Sequence, residues 1–261
     1  MTEREYAAAP GIRRSELWLI NKSPMHFKYA KEHPEEPTKA MKFGSAIHKF
    51  VLDAQNFQNE YIVAPNIDRR TKAGKEAYAD LIGRSIEENM DIISEEEYLQ
   101  ICEMTKVLAQ DPIASALLRG EREKSFFWVD AETQERCKIR CDVLTNWDGK
   151  PYIVDYKTTD SCEPGHFERS MKKYGYKLQA GMYHEGLFEN KFEDYGFAFV
   201  AQEKTEPYAV NVYVCDPEYI KEGVDLFREL LGIYHYCKMN NNWYGYMGAE
   251  HLVTEVLAEG Y

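Results

Sequence analysis

Two carboxylates and a lysine stand where their side chains can meet: Asp142 in Arg140-Cys-Asp142, and Asp155 and Lys157 in Ile153-Val-Asp-Tyr-Lys-Thr-Thr159. Between them lies Asn146-Trp-Asp-Gly-Lys150, and its Asp148-Gly149 dipeptide favours a two-residue type I′ hairpin. With that turn Trp147 pairs with Lys150, and each further pair steps outward by one residue on both strands. Asp142 then falls opposite Asp155, with Cβ atoms roughly 4.5–5.5 Å apart on one face. Lys157 joins that face by the two-residue period of a strand. Like charges so opposed destabilise a sheet, and one lysine offsets only part of the repulsion. A bound divalent cation resolves the conflict. The two carboxylates are hard oxygen ligands suited to Mg²⁺ or Mn²⁺, and the ammonium can orient or help deprotonate an attacking water. That is the chemistry of phosphodiester hydrolysis. The ordinary alternative is a charged face on a surface hairpin. Against it, Asp155 follows the apolar Ile153-Val154, and charges emerging from a buried strand need partners.

The elements that must position these residues follow from periodicity. A period of two marks strands at 125–129, 136–143 and 152–157, joined by short turns into an antiparallel meander, with further strands near 195–201 and 208–215. Helical spacing marks residues 10–31, interrupted at Ser23-Pro24, and 44–52, where His48 shares the inward Gly44/Ile47/Val51 face. The polar 33–38 stretch reads as a loop and 61–64 as a short strand. A basic loop at 66–75 enters a helix that runs to about Met90, and a second helix spans 94–118, nicked at Asp111-Pro112. Helices around 176–188 and 216–236 complete the pattern, leaving 242–246 and the apolar stretch after it unassigned. The fold class is α/β: a central mixed sheet built on the antiparallel meander and flanked by helices. We expect one domain over residues 1–261, with a helical part at 10–118 and a sheet-containing core at 119–240.

A formal net charge of −12 argues against a protein that coats nucleic acid non-specifically, so any phosphate contact must come from a segregated basic patch. The densest such run is Arg69, Arg70, Lys72 and Lys75; Arg13 and Arg14 at a helix start are a second candidate for holding a phosphate. A solvated loop and an exposed helix turn are the ordinary readings of these two clusters. No stretch approaches the roughly 18 apolar residues of a membrane span, and the first residues lack a signal-peptide core, which leads us to expect a soluble, cytoplasmic protein with no membrane contact. The six cysteines are scattered without a CxxC pair and read as reduced thiols.

The motif Ile153-Val-Asp-Tyr-Lys-Thr-Thr159, preceded by Arg140-Cys-Asp142, resembles the catalytic core of PDDEXK (restriction-endonuclease-like) nucleases, and more closely that of RecE-like phage exonucleases of the exodeoxyribonuclease VIII type. The likeness runs from Ala9-Pro-Gly-Ile12 through Gly44-Ser-Ala-Ile-His48, the 64–75 segment and Phe127-Trp128 to Leu178-Gln-Ala-Gly-Met-Tyr183. Aspartate stands at 155 where the superfamily pattern has glutamate, as it does in the RecE relatives. The resemblance implies that His48, Asp142 and Asp155 are metal-site residues and that Lys157 activates water. It makes Gln179 and Tyr183 the QxxxY signature beside the site, and Glu123 an acidic residue able to reach metal. Four apart on one helix face, Gln179 and Tyr183 also suit simple packing. A related nuclease branch carries a four-cysteine iron-sulfur cluster, but the cysteine spacing here does not match it.

The function so implied is a 5′→3′ exonuclease that degrades linear double-stranded DNA and leaves 3′ overhangs for recombination by strand annealing. It would use Mg²⁺, replaceable by Mn²⁺, with two ions per site. The expected partners are duplex DNA ends, three further copies in a homotetramer ring, and a RecT-like single-strand annealing protein, all in a phage- or prophage-bearing bacterial cytoplasm. The alternatives are a structure-specific or single-strand endonuclease on the same fold, or a catalytically silent DNA-binding or assembly module.

Overall fold

The computed structural model describes residues 1–192 and 194–246. The chain opens with three helices, α1 (Glu3–Ala8), α2 (Arg14–Lys22) and α3 (Pro24–Glu32), followed by α4 (Lys39–Asp53) and a 3-10 turn (Ala54–Asn59). Next come β1 (Tyr61–Ala64), α5 (Lys72–Glu88), β2 (Asp91–Ser94), α6 (Glu95–Gln110) and α7 (Pro112–Leu117). The strands β3 (Glu121–Val129), β4 (Arg136–Trp147) and β5 (Lys150–Thr159) precede α8 (Pro164–Tyr174) and α9 (Tyr176–Glu189). The last described elements are β6 (Gly196–Glu203), β7 (Val210–Val214) and α10 (Pro217–Asn240).

The central sheet has five strands in the order β3-β4-β5-β6-β7. The β3-β4-β5 meander is antiparallel, β5 and β6 run parallel, and β6 and β7 form an antiparallel pair. A parallel pair needs a long crossover, which α8 and α9 supply. Apolar residues cover both sheet faces. Ile153, Phe197 and Phe199 join Leu17, Leu178 and Phe227 from α2, α9 and α10, whereas Val154, Tyr156 and Val200 join Ile47, Met104 and Leu117 from α4, α6 and α7. Successive β5 residues feed opposite layers, which is why this strand reads as an apolar run rather than an alternating one.

Helix α9 is buried on nearly all sides, between the sheet and α10. The crossing is set by glycine: a Cβ on Gly181 would lie 1.9 Å from the Gly223 carbonyl carbon of α10. Helix α4 is capped by Thr38, whose hydroxyl accepts the Met41 N–H at 3.3 Å, and near its end the Leu52 carbonyl accepts from Arg122 of β3 at 3.1 Å.

Several expectations need correction. The first long helix does not start near Pro10: Gly11 has φ 138°, and Ile12 docks beside Cys137 of β4 as an isolated parallel bridge, so the helix begins at Arg14. Helix α1 has no apolar period to read because it buries no residue. The four-residue β2 lies between α5 and α6, where left-handed Asn89 ends the first helix before Met90. Helix α8, opened by the Glu163 cap on Gly165 and His166, is a further element that the periodicity does not mark. The 242–246 segment packs on α3: Trp243 stacks on Phe27 at 5.3 Å, and Met25 N–H donates to the Tyr244 carbonyl at 2.9 Å. The apolar stretch after it lies outside the described residues.

Candidate active site

The β4-β5 turn forms as its residues require, with Asp148 at φ 51° and Gly149 at φ 74°, and Trp147 pairs with Lys150. The regular ladder continues out to Val143 and Val154 and stops one step short of Asp142 and Asp155. The expected direct pairing of the two aspartates is therefore not made. Beyond Val143 the Asp142 carboxylate takes the place of a strand partner, its Oδ2 accepting the Tyr156 N–H at 2.9 Å.

The reason is a slip in the side-chain alternation. Cys137, Ile139 and Cys141 face the α9 layer, yet Val143 faces the α4 layer. Across from Asp142, Glu123 adopts φ 51°, and the 123/142 pair is missing between Arg122↔Val143 and Lys124↔Cys141. A slip of this kind behaves as a bulge that re-aims one side chain. It turns Asp142 towards α4, where His48 Nε2 lies 2.8 Å from Asp142 Oδ2.

Asp155 keeps the α9-facing phase of β5 and is 2% exposed. The Gln179 amide donates to its Oδ1, and Lys157 Nζ lies 2.6 Å from its Oδ2. Lys157 is the charge partner of Asp155 Oδ2, whereas Gln179 Oε1 is buried without a hydrogen-bond partner. Lys157 in turn lies 4.9 Å above the Tyr176 ring, a cation–π contact that fixes its stem.

Charge and burial compete here. Burial pushes the Asp155 carboxyl upward and the neighbouring Asp142 adds to it, so its pKa is raised despite Lys157 and His48. Burial also acts on Asp142, but His48 and Lys157 outweigh it and its pKa is lowered. For His48, burial favours the neutral ring, yet the Asp142 carboxylate and then Asp155 prevail and the pKa is raised. Burial holds the Tyr183 phenol far above its ordinary value, and its ring packs edge-on against Phe197 at 6.2 Å. Burial likewise pushes Cys137 up to about 12 and holds Cys141 well above its ordinary value, which disfavours thiolate chemistry.

Among the described residues no three His, Cys, Asp or Glu side chains gather into a ready metal cage. The donors nonetheless suit a hard cation. Mg²⁺ is commonly held by one or two carboxylates with the remaining positions left to water and phosphate, and Asp155 Oδ2 is a buried carboxylate oxygen with spare accepting capacity. Glu123 lines the same cavity, of about 350 Å³, as His48 and Lys157, but is held by Arg140 at 3.4 Å.

Residues 14–254 match the family described as a PDDEXK-like domain of unknown function (DUF3799). The chain belongs to this family. No curated protein matches. A solved structure from Eubacterium rectale described as "Putative exonuclease" aligns over 99% of this chain and 96% of that one, with a TM-score of 0.64 and 13% identity. At that identity the likeness shows the fold alone. A second structure, "SSO0001", aligns over 92% and 83% of the two chains at TM-score 0.37 and 14% identity, too loosely to carry an argument. PDDEXK nucleases generally use divalent metal ions, and family and fold together support nuclease chemistry here.

Of the sequence-derived site residues, the PDDEXK-like fold brings together His48, Asp142, Asp155, Lys157 and Gln179, with Tyr183 and Glu123 at the edges. It does not bring the basic run to them. Arg69 stacks 4.6 Å over Tyr78 and lines a separate cavity with Lys39, while Arg70 pairs with Asp68 at 2.8 Å and Lys72 lies 3.9 Å from Glu76. Lys75 is exposed. Arg13 precedes α2, its N–H donating to Glu16 at 3.0 Å and its guanidinium 4.0 Å from the same carboxylate, whereas Arg14 donates to the Tyr174 carbonyl at 3.0 Å and adds its field at Tyr176, beneath Lys157. Sequence reasoning missed Tyr176, which stands three residues before Gln179 on α9, and Glu3, which lines the site cavity. No helix among the described residues is long and apolar enough to cross a membrane.

Proposed function

We propose that this chain is a metal-dependent exonuclease that digests linear duplex DNA in the 5′→3′ direction and leaves 3′ single-strand overhangs. The observation that supports it most is the pairing of the buried Asp155 with Lys157 at 2.6 Å, on the strand beside the one that carries Asp142. Asp142 and Asp155 would hold the metal, Mg²⁺ or Mn²⁺, as one or two ions. When bound it would act as a Lewis acid and lower the pKa of water.

The protein's own groups do the positioning. The Tyr156 N–H and His48 fix Asp142, and Gln179 fixes Asp155. Lys157, steadied by the Tyr176 ring, is placed to orient the attacking water and to offset negative charge that develops at the phosphate. We read residues 1–261 as one nuclease domain, and duplex ends as its substrate. A homotetramer ring and a RecT-like annealing partner in a phage-bearing bacterial cytoplasm extend the same reading. A linear duplex labelled separately at each 5′ and 3′ end, incubated with and without Mg²⁺, tests it. Rapid Mg²⁺-dependent release of the 5′ labels, with the 3′ labels kept on lengthening single-strand overhangs, is expected. Absence of Mg²⁺-dependent release sinks the nuclease reading, and cutting of a covalently closed circle favours an endonuclease instead.

A further inference from the structure

Helix α1 is short and buries no residue, and its half-buried Tyr6 lies 6.1 Å from the Phe127 ring. It is held by cations donating to its backbone. Lys138 of β4, only 3% exposed, donates to the carbonyls of Tyr6 at 2.8 Å, Ala7 at 3.2 Å and Ala9. Its ammonium also lies 4.9 Å over the Tyr6 ring. Arg140, two residues before Asp142, donates to the Met1 carbonyl at 3.0 Å and lies 3.4 Å from Glu123. A buried lysine spending its three protons on main-chain carbonyls is a built attachment, since burying an ammonium without partners is costly.

The other flank is also tied. Arg4 donates to the carbonyl of Asn89, the cap that ends α5. From there the chain reaches Asp91, whose N–H donates to the Glu60 carbonyl; Glu60 in turn pairs with Lys49 at 2.6 Å, a residue of the catalytic cavity wall. Both ends of the segment are thus tied to β4, Met1 through Arg140 and residues 6–9 through Lys138, while Arg4 between them reaches the cap of α5. Between the two anchors Glu3 lines the cavity beside His48, Glu123 and Lys157.

We propose that residues 2–9 form a strap across one side of the active-site cavity that confines it to DNA ends, with the Glu3 carboxylate turning away an uninterrupted phosphate backbone. The inference rests on the nuclease reading and deepens it by naming what makes the site end-specific. A continuous duplex must pass the cavity on both sides of the scissile phosphate, whereas a terminus needs only one open side. A carboxylate facing a phosphate is a like-charge juxtaposition, the kind of contact by which interfaces reject a wrong partner.

The test compares the full chain with a variant lacking residues 2–9 and with Glu3→Ala/Arg4→Ala, which keeps the main-chain carbonyls that partner Lys138. Binding is read in Ca²⁺, by competing a labelled linear duplex with an unlabelled closed circle, so a catalytically dead protein still reports; cleavage of the circle is read in Mg²⁺. The strap requires that the circle compete poorly for the full chain and gain about tenfold or more in affinity for both variants, with linear binding unchanged. Circle cleavage should appear alongside. Equal exclusion of the circle by all three proteins overturns the proposal, as does a full chain that already accepts circles, or a parallel loss of linear binding in the variants. If the deletion misfolds, the double substitution decides by the same criteria. Failure of every protein to cut linear DNA would remove the nuclease reading while leaving the competition result to judge the strap.

Discussion

Replacing Asp155 with asparagine separates the metal role proposed for this side chain from its structural one. The carboxylate is 2% exposed, and its pKa is raised first by burial and then by Asp142. A carboxyl whose folded pKa is raised contributes stability that is fully present below its unfolded pKa and lost as pH rises through the folded value. At pH 7 the ionised group therefore counts against the metal-free fold. The substituted amide keeps the shape and removes that charge, so in chelator Asp155→Asn should melt at or above the unsubstituted protein. Metal reverses the order. A cation present at 100 times its dissociation constant stabilises by about 2.7 kcal/mol, which for a chain of this size is a rise of roughly 5–10 °C in Tm. The unsubstituted protein should show that rise on Mg²⁺ addition and the variant should not, with activity abolished. Melting curves in chelator and across a Mg²⁺ series give both numbers. A variant that melts well below the parent in chelator yet keeps the full Mg²⁺ shift would refute the assignment of Asp155 to the metal.

Gln179→Ala removes the donor to Asp155 Oδ1; a hydrogen bond to a charged group contributes about 1.5–3 kcal/mol, so kcat/KM should fall roughly 10- to 150-fold. Unchanged kinetics would reduce Gln179 to a packing residue. Gly181→Ala drives a methyl into the Gly223 backbone at the α9/α10 crossing and should cost about 3 kcal/mol or more in urea unfolding. A loss below about 1 kcal/mol would mean that the two helices separate easily, as overpacking of a rigid core normally costs more. Asp130 accepts from Thr133 N–H at 2.8 Å, from Thr133 Oγ1 at 2.7 Å and from Arg228, and these partners outweigh burial to hold its pKa below the ordinary aspartate value. A depressed carboxyl contributes stability that is present above its unfolded pKa and lost as pH falls through the folded value. Asp130→Asn should therefore cost about 1–3 kcal/mol at neutral pH and progressively less as the pH drops through the carboxylate range, checked by denaturation at both ends. A pH-independent loss would contradict that account.

What the sequence determined by itself is local. Asp148-Gly149 set the turn and the register out to Val143 and Val154, because a two-residue turn of that type leaves no freedom in strand pairing. The Gly44–Leu52 spacing put His48 on the inward face of α4, and helical spacing put Gln179 and Tyr183 on one side of α9. The resemblance of motifs pointed to the family, which the match over residues 14–254 shows. What only the tertiary structure decided depends on contacts far apart in the chain. The alternation slip at Asp142 and Glu123 is written in no local pattern: it depends on which layer, α4 or α9, each side chain reaches once both are packed. The four-residue β2 is too brief for a periodic signal, and α8 buries only Phe167, so it shows no apolar stripe. The polar α1 carries no apolar stripe, because its anchor is a β4 lysine 131 residues from the Ala7 carbonyl it binds, and charge on a distant strand leaves no trace in the residues it holds. The basic run 69–75 is different, since its charges are partly spent on the chain neighbours Asp68 and Glu76, and what the tertiary structure decided is that it lines a cavity apart from the site.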